Sequence, residues 1–168
     1  IVSQGEGFVF RDCDITGFDK ALVVECPESN KRANLFRKIQ FLNNICRLQT
    51  GCGIYAECFD ELDVSQNLFD QVGDSMFDQG VYIHGTWAGR YRVSRNLFNE
   101  IANCAIQARS GDMDIFENVV FNTGFGITTG HGMTTRGCRG QIVRNIVSRG
   151  SWLDGNPLAC GYGLCMNM

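Results

Sequence analysis

Apolar and polar residues alternate in this chain over short runs of four to six positions, and the runs return on a schedule. A small residue, an aliphatic, a variable residue and a small or aliphatic one recur six times. The copies are Ala21-Leu22-Val23-Val24, Gly53-Ile54-Tyr55-Ala56, Gly80-Val81-Tyr82-Ile83, Ala105-Ile106-Gln107-Ala108, Gly126-Ile127-Thr128-Thr129 and Gly163-Leu164-Cys165-Met166. A second motif precedes five of them: an apolar residue, two variable residues, Asn, then an aliphatic. It runs Phe41 to Ile45, Val64 to Leu68, Val93 to Leu97, Ile115 to Val119 and Ile142 to Ile146, with Asn44, Asn67, Asn96, Asn118 and Asn145 at the fourth place. Phe10 to Cys13 fills the same slot without the Asn. Alternation with period two predicts strands that bury one face. Two linked motifs returning every few tens of residues predict a solenoid, in which equivalent residues of successive coils stack.

The asparagines are 23, 29, 22 and 27 residues apart, so the bare coil is about 22 residues, cleanest from Asn96 to Asn118. Longer coils carry insertions, at 71–79 and 148–162 before the small-aliphatic motif and at 27–35 and 86–90 after it. No segment holds a 3.6-residue apolar stripe for three turns, and Gly interrupts every candidate, which excludes helices. The Leu-x-x-Leu-x-Leu pattern of leucine-rich repeats is absent. The expectation is one all-β domain over residues 1–168 with about six coils.

Composition changes this picture little. At 168 residues the chain buries a sizeable core, and 44% hydrophobic residues with 20 Gly and 2 Pro suit a turn-rich β protein. A net charge of −3 without a basic run gives no electrostatic footprint for nucleic acid. No run is long and apolar enough to predict membrane insertion, and no signal peptide is legible. Both ends read as strand without polar caps, which predicts a fragment of a longer chain or a piece of an assembly. The nine Cys are odd in number and lack metal-type pairing, so they read first as small buried hydrophobes, with disulfides as the alternative.

These motifs resemble those of the right-handed parallel β-helix family, to which pectate and alginate lyases, chondroitinase B, polygalacturonases and mannuronan epimerases belong. The resemblance implies three short parallel sheets, an internal ladder of stacked Asn amides, and a secreted, periplasmic or cell-surface location. It also implies an acidic polysaccharide as partner.

Stacking turns the outward positions of the small-aliphatic motif into columns. One reads Val23, Tyr55, Tyr82, Gln107, Thr128 and Cys165. Its neighbour reads Glu25, Glu57, His84, Arg109, Gly130 and Asn167, with His131 at its edge. This exposed face has what β-elimination next to a uronate carboxyl requires: a cation for the carboxylate, a base and an acid. Arg109 suits the first task, and His84 and Tyr82 the proton transfers in either order. Tyr55, Glu57, Gln107, His131 and Trp87 are the candidate substrate-binding residues, and Ca²⁺, with Glu57 as a ligand, is the one cofactor left open. Arg109-Ser110-Gly111 is similar to the Arg context of the alginate-lyase and chondroitinase branch, but His84-Gly85 stands where that branch's Lys is expected. Gly130-His131-Gly132 is similar to a polygalacturonase motif, whose paired carboxylates have only Asp112 and Asp114, expected on a turn, to match them. The sequence reading is thus a lyase or epimerase acting on an acidic polysaccharide. The alternatives are a hydrolase of polygalacturonase type or a non-catalytic carbohydrate-binding, adhesin or phage-tail-type stalk.

Overall fold

The computed structural model describes residues 7–25, 36–130 and 138–148 and the backbone of 164–166; at 86 and 87 it describes the backbone. Among the described residues there is no helix. The strands are β1 (Phe8–Arg11), β2 (Asp14–Thr16), β3 (Leu22–Val24), β4 (Phe36–Leu42), β5 (Ile45–Gln49), β6 (Ile54–Ser65), β7 (Leu68–Val72) and β8 (Val81–Ser94). They continue with β9 (Leu97–Ala108), β10 (Gly111–Phe116), β11 (Val119–Thr129), β12 (Cys138–Val143), β13 (Ile146–Ser148) and β14 (Leu164–Met166). Among the described residues every pairing is parallel, and they wind as a β-solenoid of about five turns.

Three ladders run along it. The first stacks β1, β4, the second halves of β6 and β8, β10 and β12. The second stacks β2, β5, β7, the starts of β9 and β11, and β13. The third stacks β3, the starts of β6 and β8, the ends of β9 and β11, and β14. Several strands are longer than the expected four to six residues, up to the 14 of β8, because pairing continues around a corner. Residues 86–90, expected as a loop insertion, belong to β8: Trp87, Ala88 and Arg90 pair with Cys58, Phe59 and Glu61. Asp112 and Asp114, expected on a turn, are strand residues of β10 opposite Arg90 and Arg92.

The corner between the first and second ladders is built by the asparagines. The residue before each one is forced into the left-handed region, with φ between 54° and 61° at Asn43, Gln66, Arg95, Glu117 and Arg144. That costs a residue with a Cβ about 1 kcal/mol. The amide behind it offsets the strain. Asn96 Nδ2 donates to Asn118 Oδ1 (3.0 Å) and to the Val64 carbonyl (2.9 Å), while Asn96 Oδ1 accepts from the backbone N and the Nδ2 of Asn67, both at 2.9 Å. Asn44, Asn67, Asn118 and Asn145 repeat the arrangement. Buried amides are tolerated only when paired in this way.

Inside, the columns are apolar. Phe69 and Phe98 are fully buried and stack at 4.9 Å between centroids with rings 5° from parallel. Burying each contributes about 2 kcal/mol. The small residue of the repeated motif has a steric cause. A Cβ on Gly53 would stand 2.5 Å from the Gly80 carbonyl and 2.8 Å from Phe69 Cδ1, and one on Gly80 meets the Ala105 carbonyl and Phe98 in the same way. All six cysteines whose side chains are described are free thiols. Cys46, Cys52, Cys58 and Cys104 are buried, as small hydrophobes would be, while Cys13 is exposed and Cys138 half-buried.

The ladder yields a direct test. Asn96→Ala strips partners from buried groups above and below, and should destabilise the fold by about 3 kcal/mol or more in urea titrations. An exposed control on the first ladder, Lys38→Ala, should change stability by less than about 0.5 kcal/mol.

Candidate functional site

The outward face of the third ladder follows from its inward one. Ile54, Val81 and Ile106, then Ala56, Ile83 and Ala108, fill the interior with at most a trace of exposure. The residue between each pair must therefore point out. Register places Val23, Tyr55, Tyr82, Gln107, Thr128 and Cys165 in one column, as the sequence predicts.

The next column is set by a defect. Ala56 pairs with Ile83 but Cys58 pairs with Trp87, so the single residue Glu57 faces the three residues His84, Gly85 and Thr86. Gly85 makes this possible: its φ is +90°, and a Cβ there would lie 3.0 Å from Glu57 Cβ. The bulge sets His84 Nδ1 3.9 Å from Glu57 Oε2, an ion pair whenever the imidazole is protonated. The bulge is held from the following coil, where the Ser110 hydroxyl donates to the Gly85 carbonyl and Arg109 N donates to the Ile83 carbonyl at 3.0 Å.

The side chains converge. Tyr82 and His84 ring centroids are 5.4 Å apart, Tyr55 and His84 6.3 Å, and Tyr55 meets Tyr82 edge-on at 5.5 Å. The Arg109 guanidinium lies over the Tyr82 ring, 5.0 Å from its centroid, a contact worth about 1 kcal/mol. Burial pushes the Tyr55 hydroxyl up to about 12, helped by the negative charges of Glu57 and Glu25. Burial also raises Tyr82, against the lowering pull of Arg109. Both phenols therefore stay protonated across the physiological range.

Six of the eight residues expected at the site have described side chains, and five of them, Tyr55, Glu57, Tyr82, His84 and Arg109, form this one cluster. Gln107 sits in the column but is not exposed as expected: only 6% of its surface is accessible. His131 lies outside the described residues, as does the side chain of Trp87, so the flanking roles expected of them are not placed. Among the described residues no group of three or more His, Cys, Asp or Glu is arranged to hold a metal ion.

One feature escaped the sequence reading because it lies on the first ladder. A hollow of about 220 Å³ is lined by Lys38, Glu61, Asp63, Arg90, Arg92 and Asp114. Its charges stand in rows that alternate in sign from coil to coil: Lys38, then Glu61 and Asp63, then Arg90 and Arg92, then Asp112 and Asp114. Each row neutralises its neighbours, as where the exposed Arg92 comes within 4.0 Å of the half-buried Asp63. Such a surface relieves in-register repulsion and contributes little else. The chemically loaded cluster is the one on the third ladder.

The raised tyrosines make stability sensitive to alkali. A phenol whose folded value exceeds its unfolded value of about 10 contributes fully below pH 10 and loses that contribution as pH rises through the folded value. Urea stability should fall between pH 10 and 12, and Tyr55→Phe should flatten part of that fall. No family model, no curated protein and no solved structure matches this chain.

Proposed function

We propose that this protein binds an acidic, uronate-containing polysaccharide on the outward face of the third ladder and acts on it by proton abstraction next to the carboxylate, as a lyase or epimerase. The observation that carries this reading is the single cluster in which Arg109, Tyr82, His84 and Glu57 meet. Abstraction of the proton α to a carboxylate builds negative charge on that group. A guanidinium, planar and permanently charged, pairs with both carboxylate oxygens and offsets the charge. Arg109 takes this role, leaving its resting place on the Tyr82 ring.

His84 is the base. Glu57, its carboxylate partly shielded from water, stabilises the imidazolium formed when the proton arrives. Tyr82 donates to the departing glycosidic oxygen in elimination. In epimerisation it returns a proton to the opposite face of the carbanion, and Tyr55 packs against both rings. Two-carboxylate hydrolysis has less support, since Asp112 and Asp114 stand on the first ladder among arginines and away from His84.

Alginate, pectate and glycosaminoglycan chains are the substrates to screen, with ultraviolet absorbance for unsaturated product and proton exchange from solvent for epimerisation. On a turned-over polymer, His84→Ala and Arg109→Ala should each lower kcat/KM by about a hundredfold or more. Arg109→Lys should recover little, because a point charge does not reproduce the bidentate contact. Wild-type turnover in both alanine variants would sink the assignment.

A further inference from the structure

Resting on that reading of the third-ladder face, we infer that Gln107 reads a free hydroxyl of the glycan and makes the protein selective against chains acylated at that position. Gln107 is the Cα partner of Tyr82 on one side and of Thr128 on the other. Its amide oxygen is buried and has no hydrogen-bond partner among the described residues. The contrast is with the corner asparagines, whose equally buried amides are fully paired. Thr128 does not answer it: the Thr128 hydroxyl donates to Cys104 Sγ at 3.6 Å. Tyr82 is engaged by Arg109 across its ring face.

A buried amide with an unpaired oxygen costs stability, and an apolar residue of similar size would remove that cost. Such a group marks a place where a ligand supplies the missing partner. A hydroxyl suits it in either orientation of the amide, because it both donates and accepts. Gln107 is the penultimate residue of β9 and Arg109 the first residue past its end, two positions on, so extended chain sets them about 6–7 Å apart. A carboxylate held by Arg109 therefore brings a hydroxyl of the same or the adjoining sugar ring over Gln107. The amide oxygen is closed to water in this arrangement. Arg109 lies over the ring of Tyr82, the Cα partner of Gln107, and a carboxylate that draws it off that ring opens the surface beside the amide. An O-acetyl group at that hydroxyl removes the donor and adds bulk against a side chain that is only 6% accessible, and both effects reject it.

The test pairs a ligand-free measurement with a ligand-dependent one. Gln107→Met should raise Tm by about 2 °C or more, since it removes an unpaired polar atom without opening a cavity. On alginate and pectate, each with and without O-acetylation, the wild type should bind the free-hydroxyl polymer about tenfold or more tightly than the acetylated one by isothermal titration calorimetry, and Gln107→Met should abolish that ratio. A lowered Tm for Gln107→Met means the amide has a structural partner and overturns the inference. So does an unchanged ratio when the wild type binds. If the wild type binds none of these polymers, the glycan reading itself fails and takes this inference with it, an outcome distinct from binding without selectivity.

Discussion

The corner amide is the constraint from which the rest of the molecule follows. Each coil must turn sharply after the first ladder, and it does so through a residue held at positive φ. The turn leaves backbone groups facing inward with no strand to answer them. The asparagine side chain satisfies those of the coil before it, as Asn67 does for the Phe41 carbonyl and the Asn44 N–H, and the asparagine of the following coil answers its own backbone N–H and amide. Because every amide bonds both ways, no coil can slip relative to the next without unpairing several buried groups. The asparagine ladder therefore fixes register along the whole solenoid, and register decides which outward side chains become neighbours.

Where the repeat is faithful, the surface is bland. The first ladder stacks charges in alternating rows that neutralise one another. The chemistry gathers instead where the repeat breaks. One residue of β6 faces three of β8, and Gly85 lets the excess pass over Glu57. A regular strand would have paired His84 with Glu57 and carried the chain straight into the next ladder. The bulge keeps the two side chains close while holding His84 against two tyrosines and opening space for Arg109 of the following coil. Local departure from an otherwise consistent pattern is what a functional site is expected to show.

Much of this was legible in the residues. The Asn spacing marked the corner, the small-aliphatic motif marked the third ladder, and counting outward positions placed Tyr55, Tyr82 and Gln107 in one column. Reading the cysteines as small buried hydrophobes suits Cys46, Cys52, Cys58 and Cys104 but not Cys13, which is exposed. Other features were not legible. Residues 86–90 looked like an insertion because Thr, Trp and Gly carry no alternation, yet they pair with β6 because the parent strand offers free backbone groups. Asp112 and Asp114 looked like turn residues, since their strand is polar on its outward face and only the neighbouring arginines make that face stable. Gln107 was expected in solvent because alternation tells inside from outside of the coil, not covered from open.

The sequence by itself determined the period, the inward face and the columns, because each depends on local alternation and on a motif that must recur wherever the same corner is built. The bulge opposite Glu57, the direction of the tyrosine shifts and the burial of Gln107 come from the folded arrangement. Those depend on how many residues two coils bring to one stretch of ladder and on what lies above a side chain. Both are set by packing between segments about 25 residues apart, such as Ser110 on Gly85, and no local pattern encodes them.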